Sequence, residues 1–182
     1  MQSSDPPEII VQTKYLRLLR RGRWEYVERT NVTGIVVIVA VNAAGELVLV
    51  EQYRPPLACR VIELPAGLAG DVAGAEDEAL EEAARRELLE ETGYLAGSLT
   101  RQFHGPPSAG ITNEEVTFFL ARDVQRVGSG GGDESEDITV HCVPVDQVVG
   151  WLDDQTRQGK AIDVKVYAGL WCVQGGRMKD EG

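Results

Sequence analysis

Residues 64–94 read LPAGLAGDVAGAEDEALEEAARRELLEETGY. A Pro- and Gly-rich segment feeds one strongly acidic helix that stops at Gly93, a natural residue for the left-handed position just past a helix end. The last turn is Glu87-Leu88-Leu89-Glu90-Glu91-Thr92. Residues three and four apart share a helix face, so Glu87, Glu90 and Glu91 present clustered carboxylates. The macrodipole favours cations at that end, and each acid there is misplaced by about 0.3–1 kcal/mol. Like charges four apart add about 0.2–0.5 kcal/mol. A purely structural helix would more often end in Lys or Arg. Carboxylates held against their own electrostatics imply a cation from outside.

Working outward, residues 34–41 (GIVVIVAV) form a continuous β-branched run, the pattern of a strand buried on both faces. Asn42-Ala43-Ala44-Gly45 is the turn, and residues 46–53 return until Arg54-Pro55-Pro56 ends the strand, because proline cannot donate to a ladder. Residues 61–64 are a short strand delivering the chain into the opening stretch. Residues 9–29 predict two strands turning near Arg21-Gly22, basic with Arg17, Arg20, Arg21 and Arg23. Residues 1–7 read as a disordered lead.

Beyond the helix, strands are expected at 99–103, 116–121 and 137–143, with helices at 145–156 and 162–173. The segment GSGGGDESE, residues 128–136, reads as a flexible surface loop carrying Asp133, Glu134 and Glu136. Strands in the middle with helices flanking them predict an α+β fold, a mixed sheet between helices, without repeats.

A chain of 182 residues suits one domain, and its net charge of −11 argues against nucleic acid or an anionic membrane as partner. Anionic small molecules remain compatible, since a bound divalent cation reverses the local sign. Cys59, Cys142 and Cys172 show no zinc or CxxC spacing and predict reduced thiols in a cytoplasmic protein. The start MQSSDPPEII lacks the pattern of a signal peptide. The longest apolar run, 35–41, is too short to span a bilayer.

Residues 86–94, REUxEExGU-like with Tyr94 in the final apolar place, resemble the Nudix box, and Glu78 lies eight residues before Arg86 as the box requires. Gly67 stands as the box glycine, with ten residues between it and Glu78, a longer loop than the family's motif has. Residues 24–30 (WEYVERT), 51–56 (EQYRPP), 63–68 (ELPAGL) and 134–141 (ESEDITVH) resemble segments of ADP-ribose pyrophosphatases and related nucleoside-diphosphate-sugar hydrolases. The resemblance implies a Nudix fold at 31–182, preceded at 1–30 by a β-hairpin segment used in homodimer formation. It implies Mg²⁺, with Mn²⁺ as a substitute, held by Glu87, Glu90, Glu91 and the carbonyl of Ala66.

By the same resemblance Glu91 serves catalysis, and Glu134 or Glu136 polarises water or completes the metal site; the sequence leaves open which does which. Trp24 resembles the aromatic that stacks on adenine, with Glu25 accepting from the exocyclic amine; packing in a dimer interface is the other reading. Arg29 and Arg54 resemble the arginines that grip phosphate or the terminal ribose, and Arg60 is a further candidate.

Arg86 is expected to pair with a neighbouring glutamate. Glu76, Asp77 and Glu78 fit a helix N-terminus without further role. Trp151 and Trp171 are expected in the core, and His104 and His141 are not read as ligands. The implied activity is Mg²⁺-dependent hydrolysis of a nucleoside-diphosphate sugar. The alternatives are another Nudix substrate (a dinucleoside polyphosphate, a nucleoside triphosphate or NADH) or a non-catalytic nucleotide-sugar-binding module. The usual mark of such a module is loss of box glutamates, and all three are present here.

Overall fold

The computed structural model describes residues 6–71, 74, 77–132 and 137–175. Its centre is the apolar run anticipated above, now β4 (Gly34–Asn42), which follows β1 (Glu8–Gln12), β2 (Leu16–Arg21) and β3 (Trp24–Arg29). Successive side chains of a strand point to opposite faces. Val37 and Val39 therefore enter one apolar cluster, with Leu152, Val166 and Leu170, while Val36, Ile38 and Ala40 enter another, with Ala83, Ala84 and Leu88. Burial on both faces explains why this strand shows no polar alternation.

β5 (Glu46–Arg54) returns beside β4, and a short 3₁₀ turn at Pro55–Leu57 leads into β6 (Cys59–Glu63). The chain then forms β7 (Ala66–Ala69), helix α1 (Leu80–Thr92), β8 (Tyr94–Leu95), β9 (Ser98–Gly105) and β10 (Val116–Arg126). β11 (Thr139–Pro144), α2 (Val148–Arg157), β12 (Ala161–Ile162) and α3 (Lys165–Val173) complete it. Among the described residues, β12-β6-β5-β4-β10-β8 form the path of a sheet that β7, β9 and β11 join. The β4–β10 and β6–β12 pairs are parallel and the rest antiparallel, so the sheet is mixed. Helix α1 covers one face, and α2 and α3 the other, as the two clusters require.

Several expectations need correction. The basic N-terminal region holds three strands, not two: β1-β2-β3 make a separate antiparallel sheet, with the turn after Arg21 as expected. The segment after Pro65 is not all loop, since residues 66–69 pair with β4 from Val37↔Ala66 to Gly34↔Ala69. Helix α1 starts at Leu80, with Glu81 and Glu82 in its first turn, so Glu78 precedes the helix and does not cap it. Trp171 is 46% exposed and edges against Phe103, so it is no core residue; Trp151 is half-buried beside His141. Cys59, Cys142 and Cys172 are free thiols, as expected. No helix among the described residues is long and apolar enough to cross a membrane.

Candidate functional site

The turn between β6 and β7 and the last two turns of α1 meet at one place. β7 lies alongside β4, so Ala66 is fixed by strand pairing and the Ala66 N–H donates to Glu91 Oε2 at 3.0 Å. Gly67 gives the second contact: a Cβ there would lie 1.9 Å from Glu87 Cδ, so the carboxyl of Glu87 occupies the place a side chain would take. Only glycine permits that approach. Glu91 is buried at 3% exposure, whereas Glu90 faces outward.

Arg86 gathers the carboxylates. Its Nε and Nη2 donate to the two oxygens of Glu78 at 3.1 and 3.0 Å, a bidentate pair. Nη1 donates to Glu87 Oε1 at 2.8 Å and to Glu90 Oε2 at 3.1 Å, and Nη2 also donates to the Leu68 carbonyl. Asp71 lies 3.6 Å away. The expected pairing of Arg86 is therefore present, and Glu78 is its principal partner. Burial pushes the Glu87 carboxyl up to about 7, beyond what Arg86 restores, and the nearby Glu90 and Asp71 add to the rise. Glu78 is held below the usual range by its Arg86 hydrogen bonds.

This donor set fits a hard divalent cation. Carboxylates and a backbone carbonyl are the ligands such ions prefer. The side-chain-free cradle at Gly67 leaves the half-buried Glu87 carboxyl beside the β6–β7 turn, where burial raises it to about 7. Among the described residues the acids do not close into a cage of three, because Arg86 stands between Glu87 and Glu90.

The remaining sequence candidates fall into three positions. Arg54 ends β5, and its Nε and Nη2 both reach Glu63 Oε2 at 2.8 Å. Glu63 is buried, which raises its carboxyl, and it stands three residues before Ala66. Arg54 is thus anchored on one edge by Glu63, and its side chain is 42% exposed.

Arg60 is engaged differently. Its Nε donates to Glu51 Oε1 at 2.6 Å, and Nη1 and Nη2 donate to the side chain and carbonyl of Asp137. Those contacts use most of its fork on protein acceptors, so it reads as a tether between β6 and Asp137, two residues before β11.

Glu51 also accepts from Lys160 at 2.7 Å and pairs with His141 Nε2 at 2.9 Å. Burial disfavours its charge, but the hydrogen bonds from Lys160, His141 and Arg60 outweigh that and hold the carboxyl down to about 2. A depressed folded pKa contributes stability that is present above the unfolded value and lost as pH falls through the folded one. The window is about pH 4.5 to 2, and the shift corresponds to roughly 3 kcal/mol. In urea titrations wild type should exceed Glu51→Gln in stability at pH 6, and the difference should shrink steadily below pH 4.5. A difference independent of pH would sink this account.

Trp24, Glu25 and Arg29 lie on β3, away from the acid cluster in sequence. Trp24 is 60% exposed, at the tip of the β2–β3 hairpin, and Glu25 is exposed beside it. Arg29 donates to Glu114 at 2.6 Å, while Val27 N–H meets the Ile111 carbonyl and Asn113 donates to Glu28. These contacts dock the N-terminal sheet on the 106–115 loop. They leave a cleft of about 1130 Å³, whose lining includes Arg17, Arg29, Arg101, Asp71, Glu114 and Glu115. Within it Arg17 Nε is buried without a partner among the described residues. Acids offset the cations, so the cleft has no marked sign. Glu134 and Glu136 lie outside the described residues.

The NUDIX domain profile matches residues 31–170. The chain belongs to the Nudix family. Its relatives include the GDP-mannose pyrophosphatase of Pectobacterium atrosepticum, 31% identical over 153 residues, covering 78% of this chain and 76% of that one. The ADP-ribose pyrophosphatase of Bacillus subtilis is 38% identical over 91 residues, half of this chain and 46% of its own. Among solved structures, an ADP compounds hydrolase superposes with a TM-score of 0.70 at 21% identity, covering 93% of this chain and 90% of the other, which shows the shared Nudix fold. Nudix hydrolases generally use a divalent metal.

Proposed function

We propose that this Nudix chain hydrolyses the diphosphate bridge of ADP-ribose or a related nucleoside-diphosphate sugar, releasing a nucleoside monophosphate and a sugar phosphate. The observation that carries the reading is the convergence of Glu91 on the Ala66 N–H and of Glu87 on Gly67. Carboxylates set against the β6–β7 turn support the reading, as does kinship with proteins named GDP-mannose pyrophosphatase and ADP-ribose pyrophosphatase.

Glu87, Glu90, Glu91 and the Ala66 carbonyl would hold Mg²⁺, with Mn²⁺ as a substitute. When bound, such a cation neutralises diphosphate oxygens and acidifies water. At an effective dielectric near 20 and about 5 Å, one unit-charge pair is worth roughly 3 kcal/mol, well above the tenths lost by clustering acids at a helix end. Water adds to one phosphorus, the bridging P–O bond breaks, and the departing phosphate carries the electron pair. Glu134 or Glu136 takes the water's proton.

Arg54, steadied by Glu63, presents its exposed edge to phosphate or the terminal sugar, and Arg29 is the further candidate, whereas Arg60 spends its donors on Glu51 and Asp137. Trp24 supplies a flat face for the base, worth about 1–3 kcal/mol by stacking, with Glu25 as acceptor. A second copy of the chain completes the base pocket. Residues 1–30 mediate this contact, and exposed Ile9, Val11, Leu16 and Trp24 give it apolar surface.

A chromatographic screen with Mg²⁺ tests the reading. ADP-ribose, GDP-mannose and other diphosphate sugars should each be offered beside NADH, dinucleoside polyphosphates and nucleoside triphosphates. The expected result is monophosphate plus sugar phosphate from at least one diphosphate sugar, at higher kcat/KM than from the other classes. Turnover confined to the other classes would reject the substrate assignment.

A further inference from the structure

The glycine run that reads as a free loop is docked on the carboxylate end of α1. A helix ends with carbonyls that have no intrahelical donor. Gly93, at φ 73°, closes one through its N–H to the Leu89 carbonyl at 2.8 Å. Two more are closed from the loop: the Gly131 N–H donates to the Glu91 carbonyl at 2.9 Å, and the Gly132 N–H to the Glu90 carbonyl at 3.0 Å. In return the Gly93 carbonyl accepts from Val127 and Gly128 at 2.8 and 3.2 Å.

This is backbone lying on backbone. A Cβ on Gly130, at φ 67°, would fall 2.4 Å from the Thr92 carbonyl carbon and 2.6 Å from the Glu91 oxygen. A Cβ on Gly93 would fall 2.3 Å from the Gly128 oxygen. Both positions also have backbone conformations that side chains disfavour.

The docked N–H groups aim their positive ends at the carbonyls of Glu90 and Glu91, the residues whose carboxylates stand at the negative pole of the helix. They offset part of the macrodipole there and fix the turn that carries both acids. We propose that Gly130, seated on the Glu91–Thr92 backbone, is a positioning residue: residues 130–132 form a backbone latch that holds the last turn of α1 so that Glu90 and Glu91 are presented to a divalent cation. This rests on the metal-site reading above. It concerns a glycine outside the Nudix box, acting through main-chain geometry alone.

The test compares Gly130→Ala with Gly128→Ala in the full chain, with Mn²⁺ alone as probe and no substrate. A Cβ on Gly128 has its nearest neighbour at an ordinary 3.9 Å, so this variant keeps the latch. Loss of an outer-shell support typically weakens metal binding about 10- to 100-fold. Gly130→Ala should show that loss in paramagnetic titration, with faster exchange of the Gly131 and Gly132 amides, while Gly128→Ala matches wild type in both. Thermal unfolding is recorded alongside. Wild-type affinity in Gly130→Ala, whether or not its Tm falls, overturns the latch.

If Gly130→Ala does not fold, the wild-type chain decides. The two amides should be protected and become more so with Mn²⁺; exchange at free-chain rates in both conditions overturns the proposal. Equal Mn²⁺ affinity in wild type and Glu91→Gln would instead count against the metal-site reading itself.

Discussion

Replacing Glu91 by glutamine is expected to leave a folded protein whose turnover falls about 10²–10³-fold, the usual cost of removing one preorganised electrostatic group. Glu91 is buried, and its Oε2 accepts the Ala66 N–H. Glutamine keeps an acceptor oxygen for that donor and loses the charge. The hydrogen bond weakens by about 1 kcal/mol, the difference between charge-assisted and neutral bonds. Removing an acid from the negative end of the helix returns about 0.3–1 kcal/mol. The two terms nearly cancel, so metal-free stability should change little while cation affinity and kcat fall together. Calorimetric titration with Mg²⁺, product assays and thermal unfolding give the three readouts. Full turnover in Glu91→Gln would refute the role assigned to this carboxylate.

The parts of this molecule legible in its sequence are those fixed by local chemistry. The helix end at Gly93 is written in the left-handed preference of glycine, and the structure places Gly93 at φ 73°. The buried strand at residues 34–42 is written in its β-branched run, and the return through Asn42 and Gly45 in the turn residues, with Asn42 accepting from the Ala44 and Glu46 N–H groups. Clustered acids in the wrong turn are legible too, and the structure sets two of them, Glu87 and Glu91, against Gly67 and Ala66.

What stayed hidden depends on partners distant in sequence. Residues 66–69 follow Pro65 and include Gly67, the signals of a loop, yet they gain a ladder from β4, some thirty positions earlier. Glycines 130–132 have the composition of a linker, and the carbonyls of Glu90 and Glu91, left without intrahelical donors at the end of α1, give them somewhere to dock. Arg60 looks like any arginine ahead of the box, but Glu51 and Asp137 claim its donors. The same holds for Trp24, whose exposed face gains meaning only from what is brought to it.

Arg86→Met should be the most destabilising change near the site, and its deficit should depend on pH and on divalent cation. The guanidinium faces Glu78, Glu87, Glu90 and Asp71, and burial in protein surroundings leaves it 23% exposed. Breaking a fully buried pair costs about 3–5 kcal/mol, and an exposed one about 0–1. This partly screened cluster should lose about 2–4 kcal/mol, because four acids remain without their cation.

The sign of the pH dependence follows from Glu87. Its folded pKa is raised, to about 7, so the folded state binds more protons than the unfolded state between about 4.5 and 7, and stability falls as pH rises through that range. Without Arg86 the lowering contribution disappears and the window extends upward. The stability gap between wild type and Arg86→Met should therefore be wider at pH 8 than at pH 6. Millimolar Mg²⁺ should narrow it at pH 8 by supplying to the folded state the charge that methionine lacks. Urea denaturation at both pH values, with and without Mg²⁺, measures all four corners. A gap insensitive to both variables would mean that Arg86 acts through packing and not as the counter-charge of this carboxylate cluster.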